Sequence, residues 1–130
     1  MTRRISALAL AALLLFAVSA DAQTARTGRL MREKLQHAQR ILAALTTSDY
    51  GLLQRETRAL KQITESPTWT ELMTAELLPY TGGFSKALAD LSAAADRRDY
   101  DSAGVSYGQL TSACLACHKH VMNARIARKP

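Results

Sequence analysis

Apolar residues fall at Met31, Leu35, Ala38, Leu42 and Leu45, in steps that alternate four and three. That rhythm predicts a helix over about residues 26–47, packing one stripe into a bundle. Arg29, Arg32, Lys34 and Arg40 are expected on its solvent side. Thr46-Thr47-Ser48-Asp49 breaks the pattern, and Ser48 or Asp49 is suited to cap the next helix. That second helix is expected over about residues 50–65, with Leu52, Leu53, Ala59, Leu60 and Ile63 as a broad apolar face. Ser66-Pro67 ends it, because the residue before a proline avoids the helical region. The short turn makes these two helices antiparallel neighbours.

Thr68-x-x-Glu71 matches a capping box, so a short helix running to Leu78 is expected, with Pro79 as a kink. Gly82-Gly83 is awkward for a helix, costing about a kilocalorie per glycine. Leu77, Tyr80, Phe84, Ala87, Leu91 and Ala94 nevertheless hold the three–four rhythm across it, which predicts a third helix over about residues 80–97. Trp69, on the long connection, is expected to cover one end of the bundle. Asp99 is the expected cap of a fourth helix, along which Ala103, Tyr107, Leu110, Cys114, Cys117, Val121 and Ala124 form the stripe. Asp-Tyr recurs at residues 49–50 and 99–100, each time where the second helix of a pair begins. No strand pattern survives. The expected fold is all-α, an antiparallel four-helix bundle.

The start of the chain does not belong to that bundle. Arg3 and Arg4 precede a continuous apolar run from Ile5 to Val18, and small residues follow at Val18-Ser19-Ala20 and Ala20-Asp21-Ala22. This reads as a cleaved signal peptide over residues 1–22, too short for a comfortable membrane span. It leaves residues 23–130 as one domain in an exported, periplasmic protein, with no membrane attachment after cleavage. The formal charge of +6 falls once Arg3 and Arg4 leave, but the remainder is still cationic and would be steered toward acidic partners. Nucleic acid is not expected, because the basic residues are scattered over several helical faces and aromatics are few.

The chemistry concentrates in Cys114-Leu115-Ala116-Cys117-His118. Cys-x-x-Cys-His is the attachment signature of a c-type haem. Residues three and four apart share a helix face, so Cys114 and Cys117 can both form thioethers with one porphyrin. His118, four after Cys114, can then ligate its iron. Three other readings compete. A redox pair sits at the start of a helix after a strand, and nothing upstream of Cys114 reads as a strand. A zinc site could recruit Cys114, Cys117, His118 and His120, but adjacent ligands on one turn close poorly around a tetrahedral ion. A disulfide across two residues would be strained on a helix. Covalent haem attachment takes place outside the bacterial cytoplasm, so the motif and the signal peptide point to the same compartment.

With the motif close to the end of the last helix of an exported bundle, the chain resembles the class II c-type cytochromes, the cytochrome c-prime group. The resemblance implies one covalently bound haem c, held by Cys114 and Cys117, with His118 as the proximal ligand. One branch of that group leaves the sixth position open behind an apolar residue of the first helix and binds nitric oxide or carbon monoxide. The other offers a methionine from the first helix and is low-spin. Met31, in the context Leu30-Met31-Arg32, is similar to that ligand, and a thioether suits haem iron and raises its potential. The bland reading makes Met31 a core filler. His37, off the stripe, is expected at the surface, and His120 is expected exposed. Met122 stands where many members carry a basic residue; Arg125, or Arg29 and Arg32 at the propionates, could substitute.

Electron transfer, with iron held by His118 and Met31, is the first expectation. It implies a redox partner protein that is acidic at the contact. The alternative is a five-coordinate haem protein that binds nitric oxide or carbon monoxide. A helical interaction module with a metal or disulfide at the two cysteines is a third. A homodimer is compatible with any of them. No hydrolytic triad, paired core carboxylates or phosphate loop is present, so the chain is not expected to be an enzyme.

Overall fold

The computed structural model describes the backbone of residues 2–127 and the side chains of residues 22–127. The signal peptide expected over residues 1–22 lies, except for its last residue, outside the described side chains. Five helices run in order: α1 (Thr2–Thr46), α2 (Tyr50–Thr64), α3 (Pro67–Leu72), α4 (Leu78–Arg97) and α5 (Tyr100–Ala127). The four long ones form the bundle. α1 packs on α2, α2 on α4, α4 most extensively on α5, and α5 returns sparsely to α1. The ring of four is therefore complete, with α1–α5 as its loosest seam. α3 lies under α1 and α2. Among the described residues there is no strand, and no helix is long and apolar enough to cross a membrane.

The two helical hairpins turn in the same way. At the end of α1, Ser48 takes a left-handed conformation at φ 55°. The Asp49 amide donates to the Ala44 carbonyl at 2.9 Å and the Ser48 amide to Leu45 at 3.4 Å. At the end of α4, Arg98 sits at φ 55°, with Asp99 donating to Ala94 at 2.9 Å and Arg98 to Ala95 at 3.2 Å. Each is a Schellman closure that satisfies two end carbonyls. The aspartate that follows caps the next helix: Asp49 Oδ1 accepts from the Leu52 amide at 2.8 Å, and Asp99 Oδ1 from Ser102 at 3.1 Å. The repeated Asp-Tyr is thus the sequence mark of a repeated turn.

The connection between α2 and α4 departs from expectation. Ser66, not Thr68, caps α3, its Oγ accepting from the Trp69 amide at 3.2 Å. Pro67 takes the first helical position, where a missing N–H costs nothing. The short helix stops at Leu72. Pro79 opens α4 instead of kinking it, and Gly82 and Gly83 lie within that regular helix.

The buried core is Ile41, Ala44, Leu45, Leu53, Leu60, Ile63, Leu91, Ala94, Ala95, Ala103 and Leu110, closed at one end by Leu30, Trp69 and Phe84. On α1 this corrects the expected stripe. Leu35 and Leu42 are 57% and 47% exposed, while Leu30 and Ile41 are buried. The helix is rolled by about one residue, roughly 100°, so Leu30, Lys34, Ile41 and Ala44 face inward. Lys34, expected in solvent, is half-buried. Both stripes step by three and four. A cation in the inner one disguised it.

Candidate haem site

The site end of the bundle is built from the second half of α1, the start of α4 and the second half of α5, with α3 packed on α1 and its Trp69 ring against Phe84 of α4. Tyr107 fixes the register between α1 and α5: its hydroxyl donates to the Ala38 carbonyl at 3.0 Å. On a helix of 100° per residue, Cys114 and His118 lie within roughly 20° of Tyr107, so both point along the flank of α5 that looks at α1. On α1, Met31 lies within roughly 20° of Ala38 in the same way. The helices are antiparallel, and seven residues along each from the Tyr107–Ala38 bond lead to Cys114 and to Met31. These two stand at one level on facing flanks, and both are half-buried against the core. Leu35 is on the same flank of α1, largely exposed.

Cys114 and Cys117 are free thiols, each half-buried, one turn apart on the inner stripe. His118 is exposed on the adjoining position. Burial pushes the Cys114 thiol above its usual pKa, the nearby Lys34 charge opposing this and the neighbouring Cys117 adding to it. Burial likewise raises the Tyr107 phenol.

Lys34 is the residue that sequence reasoning missed. Its Nζ stands 4.0 Å from the centroid of the Trp69 ring and 4.0 Å from that of Phe84. The two rings are 5.9 Å apart at an interplanar angle of 37°. Trp69 covers the end of the bundle, as its place on the long connection suggests. Burial lowers the Lys34 amine below the usual lysine range, and attraction to Cys114 and Cys117 partly restores it. The charged α1 side chain that lies near the two thiols is therefore Lys34, three residues beyond Met31. The signal was available: Leu30, Lys34, Ile41 and Leu45 step by four, seven and four.

The other histidines are engaged elsewhere, and neither is simply exposed. His37 contacts Glu56 Oε2 at 2.6 Å, and Arg40 Nε donates to the same oxygen at 2.7 Å, tying α1 to α2. Burial alone would raise the Glu56 carboxyl, but the Arg40 and His37 hydrogen bonds outweigh it and hold it below the ordinary glutamate value. His120 is half-buried. Its Nδ1 meets the Tyr80 hydroxyl at 3.1 Å and its Nε2 meets Glu76 Oε1 at 3.0 Å, and its ring stacks on Tyr80 at 4.6 Å. Met122, Arg125, Arg29 and Arg32 are exposed.

The donor set fits a covalently attached haem. Cys114 and the imidazole four residues on share a flank that faces apolar side chains of α1, the second thiol lies one turn from the first on the inner side, and Trp69 and Phe84 wall the end. It fits the competitors less well. Among the described residues no group of three or more His, Cys, Asp and Glu side chains could hold a metal ion, and His120 is held by Tyr80 and Glu76. The cysteines sit deep in a helix with no strand before it.

Comparison with protein-family models gives no match, and comparison with curated proteins gives none. Among solved structures the fold is similar to cytochrome c prime from Alcaligenes xylosoxidans, in a leucine-to-alanine variant solved as its nitric oxide complex. The TM-score is 0.66 at 17% identity, covering 76% of this chain and 91% of that one. The bundle is thus of the cytochrome c prime architecture.

Proposed function

We propose that this is an exported, periplasmic monohaem protein, its haem c held by thioethers at Cys114 and Cys117 and by His118 on the proximal side. The face toward α1 is open to a diatomic gas. The observation that carries this reading is that Cys114 and His118 lie on the flank of α5 toward the apolar side chains of α1, with Cys117 one turn from Cys114 on the inner side. Similarity to a nitric oxide complex of the same architecture supports it. When bound, the haem supplies an iron that takes the gas; the chain's own residues set what reaches it. Leu30, Met31 and Leu35 make an apolar approach, which favours small neutral ligands over water.

A second reading is electron transfer with Met31 as the distal ligand, to a redox partner that is acidic at the contact. It is favoured by Met31 standing level with Cys114 on the facing flank. The spectrum separates the two. The open-face reading expects high-spin bands in ferric and ferrous protein, and no change on Met31→Ala. Low-spin bands in both states that become high-spin in Met31→Ala would establish the second reading. Mass spectrometry of exported protein checks the attachment itself, as a fixed haem increment lost in a Cys114→Ser, Cys117→Ser double variant.

A further inference from the structure

We propose that the Lys34 ammonium is the polar group this chain turns toward the open face of the porphyrin, so that the distal side favours anionic ligands over neutral ones. The inference rests on the open-face reading above. Lys34 is on the inward side of α1, between Leu30 and Ile41, at the end of the bundle where the cysteines lie. Its charge is met by the faces of Trp69 and Phe84, each 4.0 Å away, in the neighbourhood of the Cys114 and Cys117 thiols. The ion pairs of the described residues give it no carboxylate. Two aromatic faces hold a cation through their quadrupoles. They do not neutralise it, and a lysine this deep is ordinarily paired.

The missing anion has two candidate sources, the porphyrin's own propionates or a ligand at the iron. In protoporphyrin both vinyl groups share one edge and both propionates the opposite one. A cation on the inward side of α1, near the two cysteines that take the vinyl groups, is at the vinyl edge, away from the propionates. What remains within its reach is the face of the ring, and a charge there stabilises a bound anion by a charge-assisted hydrogen bond. Met31 and Leu35 offer nothing comparable. Lys34 is thus a specificity-determining residue on an otherwise apolar side.

The test uses the full chain, exported and haem-loaded, as wild type, Lys34→Met and Lys34→Arg. Ferric protein is titrated with azide and ferrous protein with carbon monoxide, following the absorption spectrum. The expected result is a loss of about tenfold or more in azide affinity for Lys34→Met, carbon monoxide affinity unchanged, and azide binding largely kept in Lys34→Arg. Azide affinity unchanged in Lys34→Met, with carbon monoxide still bound, overturns this inference and leaves the open face intact. Low-spin wild type that turns high-spin in Lys34→Met also overturns it, since the amine would then occupy the iron. Low-spin bands lost only in Met31→Ala overturn the open-face reading and this inference together. Far-UV circular dichroism checks that each variant is folded, and Lys34→Gln, which keeps polarity without charge, replaces any that is not.

Discussion

Single side chains in this protein do work that their sequence neighbours do not. Glu56, with its side chain 13% exposed, gathers His37 and Arg40 from the adjacent helix. Because its carboxyl is held below the ordinary glutamate value of 4.5, its contribution is fully present above that pH. It is lost as the pH falls through the lower, folded-state value. Arg40 is half in solvent, which weakens its share. Glu56→Gln should therefore cost about 1 kcal/mol near neutrality. In urea unfolding, the gap between variant and wild type should close well below the ordinary glutamate pKa. Lys34 makes the complementary point: a charge can lie inside where aromatic faces receive it, and polarity is then a poor guide to exposure.

At the level of helices, ends are decided locally. Asp49 caps α2 through its own backbone neighbourhood, so Asp49→Ala should lower stability by about 1 kcal/mol. Ser48 and Arg98 hold left-handed conformations that an L side chain resists. Ser48→Gly and Arg98→Gly should each raise the denaturation midpoint, by about 0.5–1 kcal/mol in stability. This locality is why the helix ends at the two hairpins were legible in the sequence, whereas the cap and end of α3 were not. The stripes of α2, α4 and α5 read correctly because their apolar positions are unambiguous, and the flank of Cys114 and His118 followed from spacing alone. The face of α1 did not, because two stripes one residue apart fit the same rhythm. Tertiary packing against Trp69 and Phe84, far along the chain, chose between them. His37 and His120 were misplaced for the same reason, since their partners Glu56 and Tyr80 come from other helices and Glu76 from the connection between α3 and α4. Ser66 displaced Thr68 as the cap of α3 because Pro67 suits the first helical position.

For the molecule as a whole, the core runs up to the site, with Met31 and Cys114 packed against its end. Leu110, 1% exposed, anchors α5 in the tight half below the cysteines. Leu110→Ala should cost about 2–5 kcal/mol. Leu35→Ala, on the exposed flank of α1, should change the stability of the haem-free chain by less than about 0.5 kcal/mol. Thermal unfolding of the two variants measures the contrast directly.

The Tyr107–Ala38 bond joins residues 69 apart in sequence, whereas both hairpins close over neighbouring residues. Pairings between near neighbours form quickly, and those that enclose long loops come late. The contact of the first long helix with the last is therefore expected to form after the two hairpins have closed. A newly made chain would hold its two thiols accessible until that step, and a large planar group fastened to them before it would become part of what the final closure packs around.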